Sequence, residues 1–303
     1  MRIFLLILFL LFSVSSFAFP SATQEQASKD APKNSTTKQD QPAQDNQATK
    51  AKIRLPRDSE KQFNSDIKHY VKNADITPML LGSDEFITLI NEETTGTPKG
   101  VAILLSNWQQ AATSPKAINF LRTNLPHQGW TTITIQSMTK PEHYPSVKDK
   151  TIAQNEENKE TLTQYKNKLS KIIAKVMEKA ANYPGLFLVV AEGSNAALLV
   201  DLYKTNANKQ PDVLVILSGH LLTKTDNKNY VEALASINVP ILNLYLKYDN
   251  KDVLALAPQS LSASKKQLKI YYRQQQLNNH VSGYYPHKPL LTAINGWLKH
   301  IGW

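Results

Sequence analysis

The sequence predicts an α/β domain of three layers: a mostly parallel central sheet with helices on both faces. Three observations carry this. Short unbroken apolar runs such as Gly100–Leu105 and Leu186–Val190 lack the in-and-out alternation of a strand with one wet face, so they read as strands covered on both sides. Between such runs lie segments whose apolar residues recur every three or four positions, which is helical spacing. No internal repeat is present, so a solenoid is excluded and strand–helix alternation around one sheet remains.

The elements follow in order. Asp58–Asn73 reads as an amphipathic helix, with Phe63, Ile67 and Tyr70 on one side. A strand at Phe86–Asn91, a turn at Glu92–Lys99 containing Gly96 and Pro98, and the strand Gly100–Leu105 come next. Pro115–Leu125 is helical and stops near Pro126, and Trp130–Gln136 is a β-branched strand. Asn155–Asn182 is a long Lys/Glu-rich helix whose apolar side runs from Leu162 through Tyr165, Leu169, Ile172, Ile173 and Val176 to Met177. Leu186–Val190 and Asp212–Leu217 are strands, with the helix Ser194–Tyr203 between them. A short helix at Tyr230–Ser236, a strand at Val239–Leu246 and a partly helical stretch at Leu254–Lys266 lead to a last strand at Leu268–Arg273 and a closing helix at Lys288–Ile301. Lys265, Lys266, Lys269, Tyr271, Tyr272 and Arg273 form a basic, aromatic stretch that reads as a sheet edge with its lysine stems laid along apolar surface.

Ahead of this domain the chain has a different character. Residues 1–18 have the form of a secretory signal: Arg2, the apolar run Ile3–Phe12, and small residues at Ser16 and Ala18 that place a cut after Ala18. The run is too short for a spanning helix, so no stable membrane anchor is expected after cleavage, and the expected address is the periplasm or full secretion. Residues 19–54 are polar, carry charges of both signs and have almost nothing to bury, so they read as a disordered linker to a domain at 55–303. Of 303 residues, 35 are Lys or Arg and 25 Asp or Glu; the formal charge of +10 favours anionic surroundings without naming a partner. The absence of Cys excludes a disulfide framework, a thiolate metal site and a Cys nucleophile.

The order of elements resembles the α/β-hydrolase fold. The resemblance is carried by Gly100-Val-Ala-Ile-Leu-Leu105, by His127-Gln-Gly-Trp130, by the strand–turn–helix Leu186-Phe-Leu-Val-Val-Ala-Glu-Gly-Ser-Asn-Ala-Ala197 and by Val239–Asp249. More narrowly, the signal-like leader, Gln128-Gly-Trp130, Tyr272-Arg-Gln274 and Asn295-Gly-Trp-Leu298 resemble an uncharacterised family of exported bacterial proteins with a hydrolase-like domain. In hydrolases of this fold a tight turn between strand and helix lifts a nucleophile into a cleft, flanked by small residues. Here the apex falls on Gly193; a shift of one puts Ser194 there but leaves Glu192 where a small residue is wanted. Gly tolerates the strained backbone of such a turn, so the sequence keeps the turn and omits its hydroxyl.

The resemblance implies a catalytic set of Ser194 as nucleophile, Asp249 as the acid that orients the base, and His280 as the base in the loop after the last strand. Each has a plain structural alternative: Ser194 as a helix cap, Asp249 as a turn residue in competition with Asp252, and His280 with His287 as a rival in its own loop. Glu192 is either a base or ligand contact or an exposed turn carboxylate, and His220 either lines the cleft or is solvated. The loop Ser106-Asn-Trp-Gln-Gln110 follows the strand that supplies the oxyanion hole, and its bulky residues argue against a preformed hole or line a ligand pocket. No nucleotide-binding glycine motif and no metal-ligand cluster occurs, so neither cofactor nor metal is expected; with export, nucleic acid is a poor partner. Two readings stand level: a weak esterase-like serine hydrolase, and a silent member that binds a small molecule or an envelope component.

Overall fold

The computed structural model describes residues 58–206 and 210–303, so the leader and linker readings, residues 1–18 and 19–54, lie outside the described residues. Eight strands form one sheet: β1 Ile76–Leu81, β2 Asp84–Asn91, β3 Gly100–Leu105, β4 Trp130–Ile135, β5 Leu186–Glu192, β6 Val213–Leu217, β7 Ile241–Leu246 and β8 Tyr272–Leu277. Their order is β1-β2-β4-β3-β5-β6-β7-β8. β1 and β2 pair antiparallel, as do β2 and β4; every other pair is parallel. The helices are α1 Ser59–Tyr70, α2 Ala117–Asn124, α3 Thr151–Ala180, α4 Gly193–Thr205, α5 Lys224–Ser236, α6 Lys251–Lys266 and α7 His287–His300.

All six residues of β3 are buried, as a strand roofed on both sides requires. Val101, Ile103 and Leu105 face a core shared with α3, α4 and α5, including Leu169, Ile173, Leu199 and Leu234. Ala102 and Leu104 face the opposite core, closed by Ile118 and Leu121 of α2 and Leu290, Ile294 and Trp297 of α7. The three expected layers are therefore present. Four expectations need correcting. The strand β1 was not foreseen; it pairs with β2 through a tight turn at Gly82, φ +68°. The last strand lies at Tyr272–Leu277, not Leu268–Arg273, because Leu268 takes φ +52° in the turn that ends α6. α6 is helical throughout, started by Asn250, whose side chain accepts from the N–H of Asp252 at 2.9 Å. Lys269 does not lie along a strand: its ammonium donates to the carbonyls of Leu234 (2.9 Å) and Ile237, closing the carboxyl end of α5.

Parallel pairing puts the ends of β3 to β8 at one edge. Leu105 is in register with Ala191, Glu192 with Leu217, and Leu246 with Leu277. The loops leaving those ends carry every residue implied by the resemblance.

Candidate functional site

The turn from β5 into α4 is the centre of this edge. Glu192 precedes α4 in extended backbone, φ −115° and ψ 142°, and Gly193 opens the helix at φ +59°. A left-handed φ at a strand-to-helix junction is strained for any residue with a Cβ and free for Gly. A second reason for Gly is steric. A Cβ on Gly193 would stand 2.3 Å from Asn107 Cγ and 2.4–2.5 Å from its amide atoms. The Asn107 carboxamide therefore covers the space into which a side chain at the apex would project.

Asn107 is fixed there by hydrogen bonds from α4 and from its own loop. Its Oδ1 accepts from the backbone N–H of Ser194 at 3.0 Å and from that of Trp108 at 2.8 Å. One N–H follows the apex and the other belongs to the loop after β3. Those are the two sources from which this fold draws an oxyanion hole. The pair of donors is thus formed, and a side chain of the same molecule occupies it. The loop is held in turn by Asn195, whose Nδ2 donates to Ser106 O at 2.7 Å while its Oδ1 accepts from Tyr165 of α3 at 2.8 Å. Ser106 and Ser137 share a further bond at 2.9 Å.

Ser194 is buried, and its backbone, not its hydroxyl, makes the contact just described. It also lies inside α4 rather than at the preceding cap, which is Glu192. Asp249 follows β7 and accepts from Ser218 Oγ at 2.5 Å and from the N–H of Leu246 at 2.8 Å through Oδ2, and from the N–H of Asn250 at 2.8 Å through Oδ1. None of these partners is an imidazole. His280 is exposed in the loop after β8. The group from that loop which reaches the acid's surroundings is Tyr285, whose hydroxyl lies 2.6 Å from Ser218 Oγ and 3.0 Å from Leu244 O. Burial, with Asp249 next in effect, pushes the Tyr285 phenol well up, so it stays neutral. His287 opens α7 and stacks on Phe120 at 4.1 Å between ring centres. His220 is buried, with Nδ1 2.9 Å from Ser218 O and Nε2 3.2 Å from Asn250 Nδ2.

Glu192 is not the exposed turn carboxylate of the sequence reading. It is 6% exposed, and its Oε2 is buried with no hydrogen-bond partner among the described residues. Burial pushes its carboxyl up to about 7 from an ordinary 4.5; Lys116 and a hydrogen bond from Gln110 oppose the rise, and Asp249 adds to it. Sequence reasoning raised Glu192 but missed Asn107, Ser218 and Tyr285. The one available signal was the position of Asn107 in the oxyanion-hole loop.

Size and chemistry part company in this molecule. A cleft of about 690 Å³ lies at the opposite, amino edge, between Asp75, Glu92, His127, Lys179 and Tyr183. Its ionisable groups are exposed or half-buried, whereas the buried carboxyl and the paired N–H groups are at the carboxyl edge; perturbed groups of that kind mark functional sites better than volume does. Among the described residues no group of three His, Asp or Glu could hold a metal.

Comparison with known proteins agrees with this architecture. A family model described as "Protein of unknown function (DUF3530)" matches residues 3–300. The chain belongs to this family. No curated protein is similar to it. Among solved structures, TT1662 from Thermus thermophilus has a TM-score of 0.52 at 13% identity, covering 74% of this chain and 97% of its own. The esterase domain of a Rhodothermus marinus protein has a TM-score of 0.50 at 8% identity, covering 74% and 98%. An α/β serine hydrolase without a lid, XC6422 from Xanthomonas campestris, has a TM-score of 0.48 at 10% identity, covering 76% and 96%. The sheet order and the likenesses at 0.52 and 0.50 give the DUF3530 chain an α/β-hydrolase-like fold, and at such identities the likeness concerns the fold alone.

Proposed function

We propose that this DUF3530 protein is an exported binding module on a hydrolase fold, silent in acyl transfer. Hydrolysis by this fold needs a nucleophile at the apex, a base beside the acid, and an open pair of N–H donors. The observation that carries the reading is Asn107: its carboxamide lies against Gly193 and its Oδ1 takes both N–H groups. The acid's neighbours support it, because Asp249 is satisfied by Ser218 and two backbone N–H groups.

The rival reading, a weak esterase with Ser194, Asp249 and His280, draws on their order along the chain, which is the order of this fold's triad. A fluorophosphonate probe and short-chain p-nitrophenyl esters separate the two. Wild type and Ser194→Ala are expected to behave alike, without labelling or turnover. Labelling that disappears in Ser194→Ala establishes the enzyme and ends the silent reading. The reading also includes export to the periplasm or beyond. The mass of the protein recovered from cells expressing the full chain should correspond to a mature form beginning at Phe19.

A further inference from the structure

We propose that the turn joining α6 to β8 docks this protein on an anionic lipid bilayer. Leu268 and Ile270 enter the acyl boundary, and Lys265, Lys266 and Arg273 meet the headgroups. The turn lies at the amino edge of the sheet, away from the β5–α4 turn, so the inference is independent of whether acyl transfer occurs there. α6 ends in a Schellman motif: Leu268 N–H donates to Lys265 O at 3.0 Å and Lys269 N–H to Ser264 O at 3.1 Å. That ending needs a left-handed residue, usually Gly or Asn, and here Leu268 takes it at φ +52°. The side chain gains nothing inside the protein in return, for it is 83% exposed. Ile270 is 86% exposed and Tyr271 is 55% exposed. Single apolar residues on a surface are ordinary, but neighbours of this size standing together mark a partner.

The backbone under these side chains is pinned. Between the two aliphatic residues Lys269 turns inward, its ammonium donating to Leu234 O at 2.9 Å and to Ile237 O. Tyr271 O accepts from Ile241 N–H at 2.8 Å, which ties the far end of the turn to β7. The second observation is charge. From Val253 to Trp303 the chain has no Asp or Glu, and it has six Lys or Arg. Lys265, Lys266 and Arg273 are exposed and pair with no carboxylate among the described residues. The basic surface continues onto α7. Arg273 lines a hollow with Thr292 and Gly296, and those two also border the hollow lined by Lys299 and Trp303. A soluble polyanion would satisfy the cations and leave Leu268 and Ile270 in water. A neutral apolar partner would leave the cations unpaired. An anionic bilayer meets both, and Tyr and Trp at the margin suit its headgroup layer. Side chains as exposed as Leu268 and Ile270 stand out from the surface, a shape that a fluid interface can close around.

The absence of Cys makes a site-specific test simple. Ile270→Cys, in protein recovered from cells expressing the full chain, carries one NBD fluorophore on the turn. The control is Val147→Cys, 94% exposed in the loop between β4 and α3 at the carboxyl edge. Vesicles of equal parts phosphatidylcholine and phosphatidylglycerol should brighten the label at 270 and shift it to the blue. The label at 147 should not change, and pure phosphatidylcholine should have little effect on either. Leu268→Asn, which keeps the left-handed turn, should weaken vesicle affinity at least about tenfold, and so should Lys265→Gln combined with Lys266→Gln. The inference is overturned by an unresponsive label at 270, by an equal response to neutral vesicles, or by variants that bind like wild type. The same blue shift with dextran sulfate in place of vesicles would overturn it in favour of a soluble polyanion. A label at 270 already shifted without vesicles, and released on dilution, would seat a second copy of the chain on the turn and also overturn it. Ester turnover dependent on Ser194 would end the silent reading and leave the vesicle titration untouched.

Discussion

Glu192 carries a pH signature that its neighbours do not share. Its folded carboxyl is raised above its unfolded value, so the folded state holds the proton more tightly between pH 4.5 and about 7. The associated stability is complete below about pH 4.5 and is lost as pH climbs through about 7. The whole excursion is worth about 3 kcal/mol. Glu192→Gln should therefore unfold at higher urea than wild type at pH 8, by roughly that amount, and lie close to it at pH 4.5. Parallel curves for the two proteins across that range would refute a buried, perturbed carboxyl. Gly193 gives a second test. Gly193→Ala pays for both a left-handed φ and a Cβ at 2.3 Å from Asn107, about 3 kcal/mol together. In Asn107→Gly the steric part disappears, leaving about 1 kcal/mol for the backbone. A double-mutant cycle without coupling would show that the two residues do not touch. Gly193 at the apex was legible in the sequence because the turn pattern is local. Asn107 above it was not, because the contact joins residues 87 apart along the chain.

At the scale of elements, the site depends on how α3, α4 and the loop after β3 are tied together. Asn195 is the knot: it serves Ser106 O and Tyr165 Oη at once, in a place without water access. Asn195→Ala removes both bonds, leaving Ser106 O with Ser137 Oγ and Tyr165 Oη with a long bond to Met138 O, and should cost about 2 kcal/mol in chemical denaturation, with a smaller loss for Tyr165→Phe. Equal losses for the two would mean that the bond to Ser106 contributes little. Element type followed the pattern of apolar residues well: the buried runs became strands and the long periodic stretch became α3. Boundaries moved where polar side chains decided. Thr223 accepts from Asp226 N–H and starts α5 well before Tyr230, and Asn250 starts α6 before Leu254. β1 escaped because Pro78 and a weak, mixed pattern mark an edge strand, whose signal in sequence is the faintest in a sheet.

For the whole molecule, one sheet separates two cores that share the same strands. Leu199 of α4 and Leu121 of α2 are fully buried on opposite faces. Truncating either to Ala should destabilise by about 3 kcal/mol and shift one common unfolding transition, followed by tryptophan fluorescence and circular dichroism. Two separated transitions would mean that the layers unfold independently. The same sheet explains why the polar groups of the candidate site gather where they do. Parallel strands deliver six loops to one edge, and the donors of α4 and the loop after β3 meet at its middle.

Taken by itself, the sequence determined the alternation of strand and helix, the parallel character of the sheet and the glycine at the turn after β5. Each of these is written in local periodicity or in the backbone freedom of one residue type. Only the tertiary structure decided that Asn107 occupies the paired donors, that Glu192 is buried with its Oε2 unpaired and that Asp249 turns to Ser218. The reason is physical: burial and partner choice of a polar side chain belong to the loops that converge on it, and no window of sequence contains them all.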